Sequence, residues 1–173
     1  AIPGGESISS FGEDANGEIY LCDQNGGQIW RIQEECNANA SNFCSTSPNS
    51  NGSGAIAGSN GQVGISGNSF VLNVTGASIS QPGIFYYGPN QIQQPFGNGF
   101  RCVGGSVFRL PPISSDLFGD GLFSVDFTVP PAGGGPGQIT AGSTWNFQFW
   151  YRDPAGGGDF FNLSDGHTVS FCP

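Results

Sequence analysis

The sequence contains no lysine and no methionine, and its basic residues are four arginines set against thirteen acidic residues. The formal net charge is -9, and only 10% of the residues are charged. Binding to nucleic acid or to an anionic membrane surface depends on clustered basic side chains. The four arginines do not cluster in the sequence, so we expect neither partner and predict a solvated acidic surface.

Long hydrophobic runs and helical periodicity are also missing. No stretch has the length of a transmembrane helix, and no signal-peptide pattern occurs. Apolar residues do not recur at helical spacing over three turns. We expect a protein without a membrane span, whose first residues are a processed end from which any export signal has been removed.

The five cysteines include no C-x-x-C pair, which excludes zinc ribbons and thioredoxin-like chemistry. Five cysteines in such a chain indicate an oxidising compartment, so we predict an extracellular or cell-surface location. Two bridges and one leftover thiol have about fifteen arrangements. We favour Cys102–Cys172, with Cys36–Cys44 as the local pair. Cys22 is then the spare thiol and a candidate for an intermolecular bond.

Residues suited to catalysis are few. His167 is the only histidine, and no G-x-S-x-G nucleophile motif accompanies it, so we expect a strand-end or surface residue. Asp153, Asp159 and Asp165 lie in glycine- and proline-rich segments, where aspartate commonly accepts hydrogen bonds from turn amides. We predict no catalytic residue and no enzymatic activity.

Metal binding is not expected either. One oxygen-rich turn contains Glu13, Asp14, Asn16 and Glu18. A second contains Asp116 and Asp120. Calcium needs six to eight oxygens, and neither turn has the spacing of a calcium loop. We predict no cofactor, with calcium as the alternative.

What the sequence has in abundance is aromatic residues, 13% of the chain, in segments that alternate with period two. Residues 144–151 place Trp145, Phe147, Phe149 and Tyr151 on one face and Trp150 on the other. Residues 122–129 are expected to bury Phe123, Val125, Phe127 and Val129, and residues 69–75 to bury Phe70, Leu72 and Val74. Further strands are predicted at 83–87, 100–103, 106–110 and 167–172. The fold class is therefore all-β, an antiparallel β-sandwich of immunoglobulin-like or jelly-roll-like type.

The N-terminal third differs from the rest. Residues 18–22 and 28–32 form a predicted hairpin, with a third strand at 7–11. We divide the chain into an N-terminal β-hairpin appendage (1–35), a polar cysteine-containing linker (36–61) and a β-sandwich (62–173). A hairpin of this size is marginal alone and must find apolar cover elsewhere. The residues expected to make that contact are Ile19, Leu21, Ile29, Trp30 and Ile32.

Two stretches resemble known families. Residues 9–21 read SSFGEDANGEIYL and residues 26–32 read GGQIWRI, which resembles the closing strands of the β-propeller of soluble quinone-dependent glucose/sorbosone dehydrogenases. The resemblance implies shared ancestry and not activity. That family's catalytic base, quinone-binding residues and calcium ligands lie in earlier blades, and none is carried over to this chain.

Residues 43–173 resemble a C-terminal β-sandwich module of large secreted bacterial proteins. The stretches that carry this resemblance are FCSTSPNS (43–50), YGPN (87–90), PFGNGFRCVGG (95–105), NFQFWYRDP (146–154) and NLSDG (162–166). The module implies secretion and a sandwich fold, with no established activity.

The functional prediction is a non-enzymatic, secreted structural protein whose copies assemble into extracellular or cell-surface filaments by strand or hairpin exchange. One alternative is an accessory or surface-attachment module of a quinone-dependent sugar dehydrogenase. The other is a carbohydrate-binding module, in which Trp150 and Tyr86 are the candidates for stacking on a glycan.

Overall fold

The computed structural model describes residues 7–15, 17–32 and 39–173, and the chain divides into two compact units, residues 1–35 and 36–173. The described part is all-β and contains no α-helix. The sequence therefore predicted the fold class correctly. The immunoglobulin-like or jelly-roll-like topology stays a prediction.

The N-terminal unit contains one antiparallel three-stranded sheet, in the order β1 (Ile8–Glu13), β2 (Ile19–Asp23), β3 (Gln28–Arg31). The turn between β2 and β3 is organised by Asp23, whose carboxylate accepts hydrogen bonds from the backbone N–H groups of Asn25 and Gly26, each at 3.0 Å. This self-capping is the usual role of an aspartate at the start of a tight turn.

Residues 39–173, the described part of the second unit, contain ten strands. Their bounds are β4 Ala40–Phe43, β5 Ile56–Asn60, β6 Val71–Thr75, β7 Pro82–Gly88, β8 Asn90–Phe96, β9 Gly99–Gly104, β10 Phe108–Ser114, β11 Gly121–Ser124, β12 Thr144–Arg152 and β13 Phe161–Ser170. Short 3-10 turns occur at Ile65–Gly67, Gly135–Gly137 and Pro154–Gly156.

These strands form three antiparallel layers. A five-stranded sheet has the order β10-β7-β12-β13-β4, a three-stranded sheet has the order β11-β6-β5, and β8 and β9 form a separate hairpin. The main core lies between the first two sheets and is rich in aromatic residues. Leu72 and Val74 of the smaller sheet, and Phe70 just before it, pack there with Phe147, Phe149 and Tyr151. The alternation predicted for residues 69–75 and 144–151 is therefore confirmed.

Several predicted boundaries are wrong. The segment 36–61, predicted to be a linker, contains β4 and β5, each of which belongs to a sheet of the second unit. The predicted strand 122–129 ends at Ser124, and Val129 is exposed rather than buried. A polar, glycine-rich segment at a sheet edge has little hydrophobic alternation, so period-two analysis does not detect it.

The predicted disulfide pairing is also wrong. Cys102 bonds to Cys44, with a sequence separation of 58 residues, and not to Cys172. Cys44 is therefore not paired with Cys36, which lies outside the described residues. Cys172 is disulfide-bonded as well, and Cys22 is a free thiol. Cysteine spacing could not reveal the pairing, because the fold brings β9 next to the end of β4.

Candidate functional site

The strongest candidate site lies on the outer face of the five-stranded sheet, opposite the main core. Tyr86 on β7 and Leu163 on β13 are buried there beneath Val103 of β9. The β8–β9 hairpin thus covers one part of this face. The Cys44–Cys102 disulfide attaches β9 to the residue that follows β4.

Gln148 fastens the hairpin to the sheet. Its side chain is completely buried, and its Oε1 accepts hydrogen bonds from the Tyr86 hydroxyl and from the backbone N–H of Cys102, the latter at 2.8 Å. Its Nε2 donates to the carbonyls of Phe100 at 2.8 Å and Ser164 at 2.6 Å. All four hydrogen-bonding positions of the amide are therefore used, which is the condition for burying such a group without a large cost.

The uncovered part of the outer face is a groove of about 480 Å³. We call it the arginine groove. The residues that define it are Ile84, Tyr86, Trp150, Phe161, Arg101 and Arg109. Arg109 on β10 lies directly opposite Tyr86 on β7, so both side chains point to the groove side of the sheet. The groove therefore combines an apolar floor with two of the four cations of the chain.

Aromatic contacts fix one wall of the groove. The ring of Phe161 lies 5.6 Å from that of Trp150 and 5.3 Å from that of Phe96. Gly97, at the β8–β9 turn, has φ of 60° and approaches the Phe161 ring so closely that a Cβ there would lie 2.2 Å from it. The turn needs glycine both for its backbone conformation and for this contact.

The predicted glycan-stacking residues both line this groove, but they are not equivalent. Trp150 is partly exposed and lies on the opposite face from Trp145, as predicted. Tyr86 is only 8% exposed, and burial raises the pKa of its hydroxyl. That hydroxyl already donates a hydrogen bond to Gln148 Oε1. Tyr86 therefore offers no open ring face to a sugar.

A buried polar network lies between the two main sheets, where β4 and β13 face β5. The Ser59 hydroxyl is 2.9 Å from His167 Nε2, and His167 Nδ1 is 2.9 Å from Asn42 Oδ1. The Asn42 amide nitrogen donates to Asp165 Oδ2 at 2.7 Å, so its oxygen must face the imidazole. His167 therefore carries its proton on Nδ1, and its Nε2 accepts from Ser59.

This network has the order of a serine, a base and an orienting group, but the backbone around Ser59 differs from that around a serine nucleophile. Ser59 lies within the regular strand β5 and not on a sharp turn. The backbone N–H of Ala57, on the same strand, donates to Asp165 Oδ1 at 2.8 Å and is not available to a substrate oxyanion. The network joins β4, β5 and β13 across the two sheets.

His167 itself departs from the prediction of a strand-end or surface residue. It is buried within β13, and this burial lowers the pKa of the imidazole. Burial raises the pKa of the neighbouring Asp165 against the opposing hydrogen bonds from Asn42 and Ala57. Both shifts disfavour the charged form, as expected where water is excluded.

The other aspartates serve turns and loops. Asp153 is buried and accepts hydrogen bonds from the Ser50 N–H at 3.2 Å, the Ser78 hydroxyl at 2.6 Å and the Gly156 N–H at 3.2 Å. Burial alone would raise its pKa, but the hydrogen bonds from Ser50, Ser78 and Gly156 hold it below the ordinary value. Asp116 accepts hydrogen bonds from the N–H groups of Asp120 and Phe118, which lowers its pKa.

Across residues 7–15, 17–32 and 39–173, no three His, Cys, Asp or Glu side chains are grouped to hold a metal ion.

The predicted assembly residues fall on both faces of the N-terminal sheet. The strand register places Phe11, Leu21 and Trp30 side by side, with Ile19 on the same face. Ile29 lies on the other face beside Cys22.

Leu21, in the central strand, is only 3% exposed. It offers little surface to another molecule. Phe11, which lies next to it on the same face, is 68% exposed.

Comparisons with known proteins give no relative. No protein-family model, no curated protein and no solved structure matches this chain. The described part of the chain also has no helix long and apolar enough to span a membrane. The two family resemblances stay predictions.

Proposed function

We propose that this chain is an exported, non-enzymatic structural protein whose copies assemble outside the cell through the N-terminal sheet. The observation that carries the proposal is the apolar face of that sheet. Phe11 and Ile19 are 68% and 46% exposed, and Trp30 and Ile32 lie on the same side. We call these four residues the contact face.

The energetic reason is the size of the unit. The unit of residues 1–35 is short, and units below about 40 residues usually depend on disulfides, metals or association with another chain for stability. Removing such surface from water contributes about 25 cal/mol per Å². Covering the contact face with another molecule therefore stabilises both the sheet and the assembly.

The contact is expected to use the face of the sheet and not an open strand edge of the sandwich. The edge strand β10 contains Pro111 and Pro112, which have no N–H to donate to an added strand. Proline on an edge strand prevents uncontrolled pairing, so face packing of a hairpin is favoured over strand addition at this edge.

The test compares two faces of one sheet in the full-length chain. Wild type and the variants Phe11→Ser, Ile19→Ser and Ile29→Ser are followed by sedimentation velocity and negative-stain electron microscopy over a range of concentrations. We expect wild type and Ile29→Ser to assemble, because Ile29 lies outside the contact face. Phe11→Ser and Ile19→Ser should weaken assembly by at least about tenfold.

A wild-type protein that stays monomeric up to its solubility limit would overturn the proposal. Equal loss of assembly in Ile29→Ser would also count against it. The non-enzymatic part has its own test, because covalent labelling of Ser59 by a fluorophosphonate probe would contradict it.

A further inference from the structure

The arginine groove has a charge opposite to that of the rest of the molecule. Residues 36–173 carry three arginines, and two of them, Arg101 and Arg109, line the groove. None of the six aspartates of this segment lines it. A positive, largely apolar groove on a chain of net charge -9 is suited to an occupant that is apolar and acidic.

The N-terminal segment has that chemistry. Residues 1–35 contain seven acidic residues and one arginine. That arginine, Arg31, is already paired with Glu18 at 2.8 Å. Glu13 is exposed and lies directly opposite Ile19 in the register, so it borders the contact face. An apolar face bordered by a carboxylate is thus available to complement the groove.

We infer that the arginine groove is the acceptor for the contact face of a second copy of this chain. The inference rests on the proposed function and names the partner surface for it. Phe11 and Trp30 of one copy pack on Trp150 and Phe161 of the next, and Glu13 approaches Arg101 and Arg109. Because donor and acceptor surfaces differ, the contact is head-to-tail, and it gives an open filament when the rotation between copies does not close a ring.

The groove is preformed for this role. Gln148, the Cys44–Cys102 disulfide and the Gly97 turn hold its wall in place. Arg101 is positioned by a hydrogen bond from its Nε to the Val103 carbonyl at 2.9 Å. A rigid acceptor loses little conformational entropy on binding, which favours affinity.

The experiment is a charge-reversal complementation in the full-length chain. The groove variant is Arg101→Glu/Arg109→Glu, and the sheet variant is Glu13→Arg. Each alone should assemble at least about tenfold more weakly than wild type, because like charges meet at the contact. Mixing the two variants should restore assembly, because each then supplies the surface that the other needs.

Two controls separate charge from folding. Arg152→Glu makes the same change on β12, where Arg152 lies opposite Phe161 but outside the groove lining, and should weaken assembly less than Arg109→Glu does. Thermal unfolding shows whether each variant is folded. Since Arg101 is half-buried and Arg109 is exposed, Arg109→Glu alone provides a second groove variant.

The outcomes distinguish the two proposals. Wild type that does not assemble overturns the proposed function. Wild type that assembles while the groove variant assembles equally well, or while the mixture fails to recover, overturns only the groove as acceptor. A soluble acidic polysaccharide and the folded groove variant are each added to assembling wild-type protein. If the polysaccharide inhibits assembly and the groove variant does not, the groove is a glycan site, and the proposal that it accepts a second copy is overturned.

Discussion

His167 is the only histidine of the chain, and its imidazole is held neutral among Ser59, Asn42 and the nearby Asp165. A neutral buried imidazole makes folding depend on pH, because the unfolded chain gains a proton at a higher pH than the folded chain does. The direction of that dependence follows from the lowered pKa.

We predict that the free energy of unfolding is constant above about pH 7.5 and falls as the pH drops below the ordinary histidine value of about 6.5. Asp165 acts with the opposite sign, because burial raises its pKa above the ordinary aspartate value of 3.8. Urea titrations at about pH 7.5 and 5.5 lie on either side of the ordinary histidine value, and a variant without the imidazole separates the contribution of His167 from that of Asp165.

The matched variant for this prediction is His167→Gln, which keeps a donor and an acceptor but does not titrate. The difference in its free energy of unfolding between the two pH values should be much smaller than that of the wild type. An NMR titration of the single imidazole checks the cause directly. A pKa at or above 6.5 in the folded protein would refute the explanation.

Among the strands, the β8–β9 hairpin depends most clearly on a few tertiary contacts. It lies outside the two main sheets and is attached through Gln148 and the Cys44–Cys102 disulfide. An isolated two-stranded hairpin is marginal in water. These attachments therefore decide whether the wall of the arginine groove exists.

We expect Cys44→Ala/Cys102→Ala to lower the free energy of unfolding by about 4 kcal/mol, the chain-entropy value for a loop of about 58 residues. Denaturant titration measures the loss, and hydrogen exchange should show faster exchange in residues 90–104. Cys22→Ala is the control, since it removes a thiol without a bond, and should change stability by less than about 0.5 kcal/mol. Equal stability of all three proteins would contradict the role given to the bridge.

At the scale of the whole molecule, assembly must overcome repulsion between copies that each carry a charge of -9. A head-to-tail contact between an acidic sheet and a positive groove offsets this repulsion locally. When the rotation between copies does not close a ring, such a contact gives an open assembly, with one unused contact face at one end and one unused groove at the other.

Open growth predicts that a chain with one defective surface acts as a terminator. Adding a small fraction of the groove variant to wild-type protein should shorten filaments, with a mean length that approaches the ratio of wild-type to variant molecules. Electron microscopy gives the length distribution. Phe11→Ser should terminate the other end with the same dependence, whereas Ile29→Ser should be incorporated without shortening. A closed oligomer of fixed size would contradict the prediction.

The sequence by itself determined the strands and their inward faces. Alternation with period two is a local property, so Phe70, Leu72, Phe147 and Phe149 could be placed in the core before any pairing was known. The same local rule put Trp150 and Tyr86 on the faces opposite their neighbours. This rule did not predict the edge strands β4, β5 and β8, because their polar residues and glycines show no apolar alternation.

Only the tertiary structure decided what those faces meet. The arginine groove draws residues from β7, β9, β10, β12 and β13, and the disulfide joins cysteines 58 residues apart. These juxtapositions depend on strand order, which is set by the packing of the whole chain and not by any local window. For the same reason the neutral histidine at position 167 and the positive groove on an acidic chain could be recognised only after the sheets were assembled.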